Sequence, residues 1–232
     1  MITFPRDMPS VGALGQWFEL DRVDYLSPEA GGRLGAVTAG QPLWKMAVGL
    51  QNMVPDDADI WRAWIPVQRG AGRLFYGRDL DRPYPKAYRG GFAGMTRAGG
   101  GAFDGAATSW SEALDSENNS RVTLNGLPAN FALGLGDYIG FRWDDAEYPG
   151  GNLKRRAMVR VVDAATGSAG GVLTVTSEPA VPLVVPVGAV AYLNVPVCLM
   201  RLVTAETLLA EQGLMAFTSA GGKIVGLQDL RE

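Results

Sequence analysis

The chain has 232 residues, 47% hydrophobic and 19% charged, with 21 Lys plus Arg against 24 Asp plus Glu and a formal net charge of -3. That length buries a real core in one large or two small domains, and the composition is that of a globular protein. With no His and the single Cys198, the chain has no Ser-His-Asp or Cys-His machinery, no His-ligated zinc, no internal disulfide and no cysteine cluster. The mildly acidic balance lacks the long-range pull of a nucleic-acid binder. No apolar run reaches the roughly 18 residues of a membrane helix. The start, Met1 to Arg6, lacks the layout of a secretory signal, so the Asn118-Asn119-Ser120 sequon is expected to stay an unmodified loop.

The pattern is mainly β. The 31 Gly and 14 Pro punctuate the whole length, and the runs between them are short and β-branched or aromatic. Trp17 to Val23 predicts a first strand, broken by Ser27-Pro28-Glu29-Ala30-Gly31-Gly32. Leu43 to Leu50 alternates as a half-buried strand should. Pro55-Asp56-Asp57-Ala58-Asp59 places carboxylates at a helix start, where free N–H groups and the dipole favour them. Ile60, Trp61, Trp64 and Ile65 follow on one helix face, Pro66 marks a kink or end, and Arg69-Gly70-Ala71-Gly72 stops the helix. Arg73 to Gly77 predicts a strand, followed by the extended Asp81-Arg82-Pro83-Tyr84-Pro85.

From Arg89 to Gly105 the glycines crowd together, which predicts a mobile loop or an arm that orders only on contact. A phosphate-cradling loop is disfavoured, because no Gly-Lys-Ser/Thr follows. Further strands are expected at Arg121–Leu124 before the Asn125-Gly126 turn and at Tyr138–Trp143 after the Gly136-Asp137 turn. Others are expected at Ala157–Val162, Val172–Val175 and Ala189–Leu193. Leu214–Thr218 and Lys223–Leu227 flank Ser219 to Gly222 as a closing hairpin. Strands this short and closely spaced suggest a small barrel or sandwich.

No group of residues forms a convincing catalytic constellation. Asp56, Asp57 and Asp59 are explained by the helix start, Asp79-Leu80-Asp81 by a solvated turn, and Asp144, Asp145 and Glu147 by a hairpin tip. Trp17, Trp44, Trp61 and Trp64 read as core, whereas Trp143 and Tyr148 are the aromatics expected at the surface. Lys154, Arg155 and Arg156 read as a solvated strand edge or a subunit contact, and Cys198 as a small buried apolar residue. Few charges and much glycine on a β-rich plan suit surfaces that are buried in assemblies.

The order of several motifs resembles the distal tail proteins of long-tailed bacteriophages and prophages. Trp44, the helix through Ile60, Trp61, Trp64 and Ile65, Arg69-Gly70, Phe75 and Pro83 to Pro85 resemble their N-terminal part. Gly126-Leu127-Pro128, Leu133 to Ile139, Arg160-Val161-Val162, Gly170 to Val175, Glu178-Pro179 and Pro196 to Leu202 resemble their second β domain. Pro66 and the 89–105 stretch depart from that pattern. The resemblance implies a ring, typically of six copies, joining the tail tube to the baseplate hub within the virion. It implies no catalysis, no cofactor and no metal, and as partners copies of itself, the tube protein and the hub protein, with neither nucleic acid nor membrane.

The sequence thus predicts a mainly β chain of two β domains: a sandwich with one packed helix, then a small barrel or sandwich. The expected divisions are 1–115, with the helix near 56–68 and the arm near 89–105, then 116–203, and a C-terminal hairpin at 204–232 that returns to the first domain. Candidate subunit contacts are Arg97, Phe103, Trp143, Tyr148, Lys154, Arg155 and Arg156. A carbohydrate-binding or host-recognition module is the alternative, with Trp143 and Tyr148 in a shallow groove. A His-free hydrolase would need two carboxylates of separated pKa in one pocket.

Overall fold

Alternating side chains build both sheets of a mainly β, two-unit architecture, in a computed structural model that describes residues 3–11, 13, 15–28, 31–50, 53–146, 153–208, 211–212, 219–220 and 222–230. In chain order, β1 (Arg6–Asp7), β2 (Gly15–Asp21), β3 (Asp24–Pro28), β4 (Leu34–Thr38) and β5 (Leu43–Gly49) precede helix α1 (Pro55–Val67) and β6 (Phe75–Gly77). Next come β7 (Ser109–Leu114), β8 (Ser120–Asn125), β9 (Ala132–Leu133), β10 (Tyr138–Asp145), β11 (Leu153–Val161), β12 (Ala165–Thr166), β13 (Leu173–Glu178) and β14 (Val190–Tyr192). The chain closes with β15 (Cys198–Leu202), β16 (Glu211–Gln212), β17 (Ser219–Ala220) and β18 (Lys223–Gln228).

The first sheet has the order β1-β6-β15-β18-β5-β2, parallel only between β1 and β6. In β5 the period of two buries Trp44, Met46 and Val48 and leaves the residues between them half-buried. Ladder register places Phe18, Met46 and Leu202 in one row and Phe75, Met200 and Trp44 in the next, so these large side chains share a face. Helix α1 covers part of that face with Ala58, Trp61 and Trp64; Trp64 meets Phe75 edge-on, with ring centroids 5.0 Å apart. Pro55 occupies the first turn, where its missing N–H costs nothing, and Pro66 lies in the last turn, where the helix ends. Ile60 does not join the buried stripe and is 46% exposed. Trp17 likewise departs from the core expectation: adjacent strand residues point to opposite faces, Phe18 takes the inner one, and Trp17 is 48% exposed.

The second sheet has the order β14-β10-β11-β13-β8-β7, antiparallel throughout. It curls until its ends meet. The Ala107 N–H donates to the Ala191 carbonyl at 2.9 Å, and Trp110 Nε1 donates to the Ala189 carbonyl at 2.7 Å. Closure removes most of the exposed strand edge. Val122, Leu124, Ile139, Phe141, Ala157, Val159, Val161, Leu173 and Val175 fill the interior.

Two expected divisions move. Ser109–Leu114 belongs to the second unit, because it pairs with β8; Cys198–Leu202 belongs to the first, because it pairs with β6 and β18. The closing strand Lys223–Gln228 also lies in the first sheet, between β15 and β5. The expected partner strand at Leu214–Thr218 lies outside the described residues.

The expected arm at 89–105 is packed, not free. Phe92 and Phe103 are buried and meet at 5.0 Å between centroids, and both lie against Phe131. Backbone bonds tie the segment to itself and to the barrel: Phe103 N–H to the Met95 carbonyl at 2.9 Å, Ala98 N–H to the Leu127 carbonyl at 3.0 Å. Two buried rings supply the core contact that the glycines cannot.

The two units meet along the outer face of β10 and β11. Tyr138 and Met158 point out of the barrel into the first core, beside Phe18 and Trp44. Trp44 Nε1 donates to the Met158 carbonyl at 2.8 Å. Arg160 fastens the seam: its guanidinium bonds Glu19, the Phe18 carbonyl at 2.8 Å and the Tyr138 hydroxyl at 2.8 Å, and lies 4.9 Å from the Trp44 ring centroid.

Candidate functional site

The ribbon β3–β4 leaves large apolar side chains in water. It leaves β2 and returns to β5, pairing Tyr25 with Val37, Leu26 with Ala36 and Pro28 with Leu34. Because strand side chains alternate, Tyr25 and Val37 share one face, and Leu26, Pro28, Ala36 and Leu34 share the other. Tyr25 is 66% exposed, Leu26 60%, Leu34 62% and Val37 68%, so neither face is covered. The ribbon joins neither large sheet. Its root is held by Thr38 Oγ1 donating to Asp24 Oδ1 at 2.6 Å, and by an ion pair of Arg22 with Glu178 on β13. A two-stranded ribbon is marginally stable alone in water, so this one is suited to being covered by another surface.

The candidate contact residues do not gather in one place. Phe103 is buried in its own barrel and is withdrawn as a contact. Arg97 lies over the Phe103 ring and bonds the Gly126 carbonyl at 2.6 Å and Asp104 at 2.7 Å, so it stitches the 89–105 segment to itself and the barrel. Trp143 is half-buried against the barrel core, and Tyr148 lies outside the described residues. The basic run Lys154, Arg155 and Arg156 is paired on the β10 side alone, since β13 meets β11 only at Arg160 and Val161. Period two separates its members: Lys154 is exposed and Arg156 half-buried, whereas Arg155 is 4% exposed and paired to Asp145 at 2.7 Å, and is withdrawn as a contact.

Of the acidic candidates, Asp56 and Asp57 lie in the first turn of α1, and Glu147 lies outside the described residues. Asp79 accepts the Tyr138 hydroxyl at 3.0 Å and the Asp81 N–H at 2.9 Å. Burial, and next the Asp79 charge, push the Tyr138 hydroxyl well above its ordinary pKa. Burial likewise pushes the Cys198 thiol up, which keeps it protonated and unreactive. Among the described residues, no three His, Cys, Asp or Glu side chains are placed to hold a metal ion, and no helix is long and apolar enough to cross a membrane.

The ribbon escaped the sequence reading because Ser27 to Gly32 looks like a break between elements. Ser27 and Pro28 instead end β3, paired with Gly35 and Leu34 of β4, and the apolar residues flanking the segment on both sides were the available signal. No known family matches the chain by its sequence profile, and no curated protein matches it.

Proposed function

We propose that the chain is a structural subunit of a bacteriophage tail tip, a distal tail adaptor that closes into a ring of about six copies between tail tube and baseplate hub. The observation that carries this reading is the ribbon Asp24–Thr38, apolar and uncovered on both faces. Exposed apolar surface of this kind marks a contact waiting for a partner. A closed ring needs one patch to meet a different patch on the next copy, and a ribbon projecting beyond both sheets suits the donor side of such a contact. The motif order from Trp44 to Leu202 supports the same family. On this reading the partners are further copies of the chain, the tube protein and the hub protein, and the place of action is the virion.

The test is the mass of the purified protein by light scattering over a range of concentrations, alone and with the tube and hub proteins. Ring assembly predicts a discrete multimer, and the double substitution Tyr25→Asp with Val37→Asp reduces it to monomer while leaving the melting temperature in place. A chain that stays monomeric at every concentration and with both partners sinks the reading.

A further inference from the structure

The outer face of β10 and β11 forms four successive cross-strand rungs: Tyr138 with Arg160, Gly140 with Met158, Arg142 with Arg156, and Asp144 with Lys154. The first two lie under the first sheet. At the third the seam between the units opens into a cleft of about 710 Å³, within the size range of small-ligand sites. Three arginines line it: Arg142 and Arg156 from the barrel, and Arg78 from the segment after β6. Among the described residues, Asp7 is the only acidic one on its wall. Asp144, on the next rung, pairs with Lys154 in register.

Among the described residues Arg78, Arg142 and Arg156 form no ion pair. Arg142 and Arg156 also stand directly opposite each other, an arrangement that repels across a sheet unless an anion sits between the charges. Each is held over a ring: Arg142 5.5 Å from the Tyr192 centroid, Arg156 5.6 Å from the Tyr76 centroid. The platform for Arg142 depends on Gly140, because a Cβ there would lie 2.5 Å from the Tyr192 ring. Asn194 and Ser10 add polar groups to the wall, and Val195 beside them adopts φ 50°, a strained conformation for a β-branched residue.

We propose that this cleft binds the phosphate group of a small polar molecule such as a sugar phosphate, with Arg78, Arg142 and Arg156 as its anion ligands. Planar guanidinium forks match phosphate oxygens two at a time, and a phosphate group offers enough oxygens to engage more than one fork. The inference is independent of ring formation.

Calorimetric titration of the full chain at low salt, with inorganic phosphate, pyrophosphate, glucose 6-phosphate, glucose and citrate, tests it. Phosphate, pyrophosphate and glucose 6-phosphate should bind, with glucose 6-phosphate separating a sugar-borne phosphate from the free ion; glucose should not bind, and added salt should weaken the binding. R142Q/R156Q should lower affinity by about tenfold or more, the loss expected for charge-assisted hydrogen bonds, and R89Q, an exposed residue away from the cleft, should leave it unchanged. R142K/R156K keeps the charge, loses the forks and should bind weakly; it serves if the Gln pair fails to fold. Pyrophosphate should raise the melting temperature of the wild type and not of R142Q/R156Q. Absence of binding by the wild type, equal binding by R142Q/R156Q, or citrate matching pyrophosphate overturns the proposal.

Discussion

The segment 89–105 and the ribbon 24–38 invert each other. The first is dense in glycine, yet Phe92 and Phe103 are buried beside Phe131 and the backbone is bonded to the barrel. The second is rich in β-formers, yet Tyr25, Leu26, Leu34 and Val37 all stand in water. Glycine content therefore does not decide which part of a chain is free. Two aromatic anchors outweigh many glycines, because each ring removes a large apolar area from water, and a well-paired ribbon remains exposed when neither of its faces finds a surface to cover it.

The largest effect should come from removing an anchor. Phe103→Ala is expected to cost about 3–5 kcal/mol in urea unfolding, whereas Leu26→Ala in the ribbon should stay within about 0.5 kcal/mol for the isolated subunit; equal costs would erase the contrast. Within the glycine-rich segment, Gly105→Ala should cost about 2 kcal/mol, because its φ is +90° and a Cβ would lie 2.9 Å from the Phe92 ring. Gly100→Ala, at φ +91° with open space around it, should cost only the backbone strain of about 1 kcal/mol.

Protons test the packed body by a smaller margin. Burial raises the Tyr192 hydroxyl from 10.0 to about 12, and Cys198 and Tyr138 are raised in the same direction. The unfolded chain releases these protons first, so stability is full below the ordinary values and falls as pH rises past 9.0 for the thiol and 10.0 for the tyrosines. Melting temperatures across that range should decline, less steeply in Tyr192→Phe. The smallest effect is expected at Gln68, which is fully buried at the end of α1 with neither amide atom hydrogen-bonded. Gln68→Leu removes unsatisfied polar atoms and should leave the melting temperature level or slightly raised.

Much of the fold was legible because period two and turn residues are local. The alternation in β5, the turn at Asn125-Gly126 and the helix start at Pro55 fall where the sequence placed them, and the strands expected at Tyr138–Trp143 and Ala157–Val162 overlap the longer β10 and β11. What stayed hidden is non-local. Nothing near Cys198–Leu202 tells which sheet it joins, since its partners are Phe75–Gly77 and Met200 faces Gln228 across the chain. Alternation also held an unused signal in Lys154-Arg155-Arg156: three consecutive cations on one strand cannot share a face, and the middle one turned inward to Asp145. The cleft lay beyond reach because Arg78, Arg142 and Arg156 converge only once two units have docked.

Gly77 and Cys198 are opposite each other on neighbouring strands, so the chain departs for the barrel and comes back at one rung of the first sheet. The barrel hangs from that sheet like a bead on a loop of thread, pinned at its side by Arg160. Tension carried along the first sheet would bypass the bead altogether.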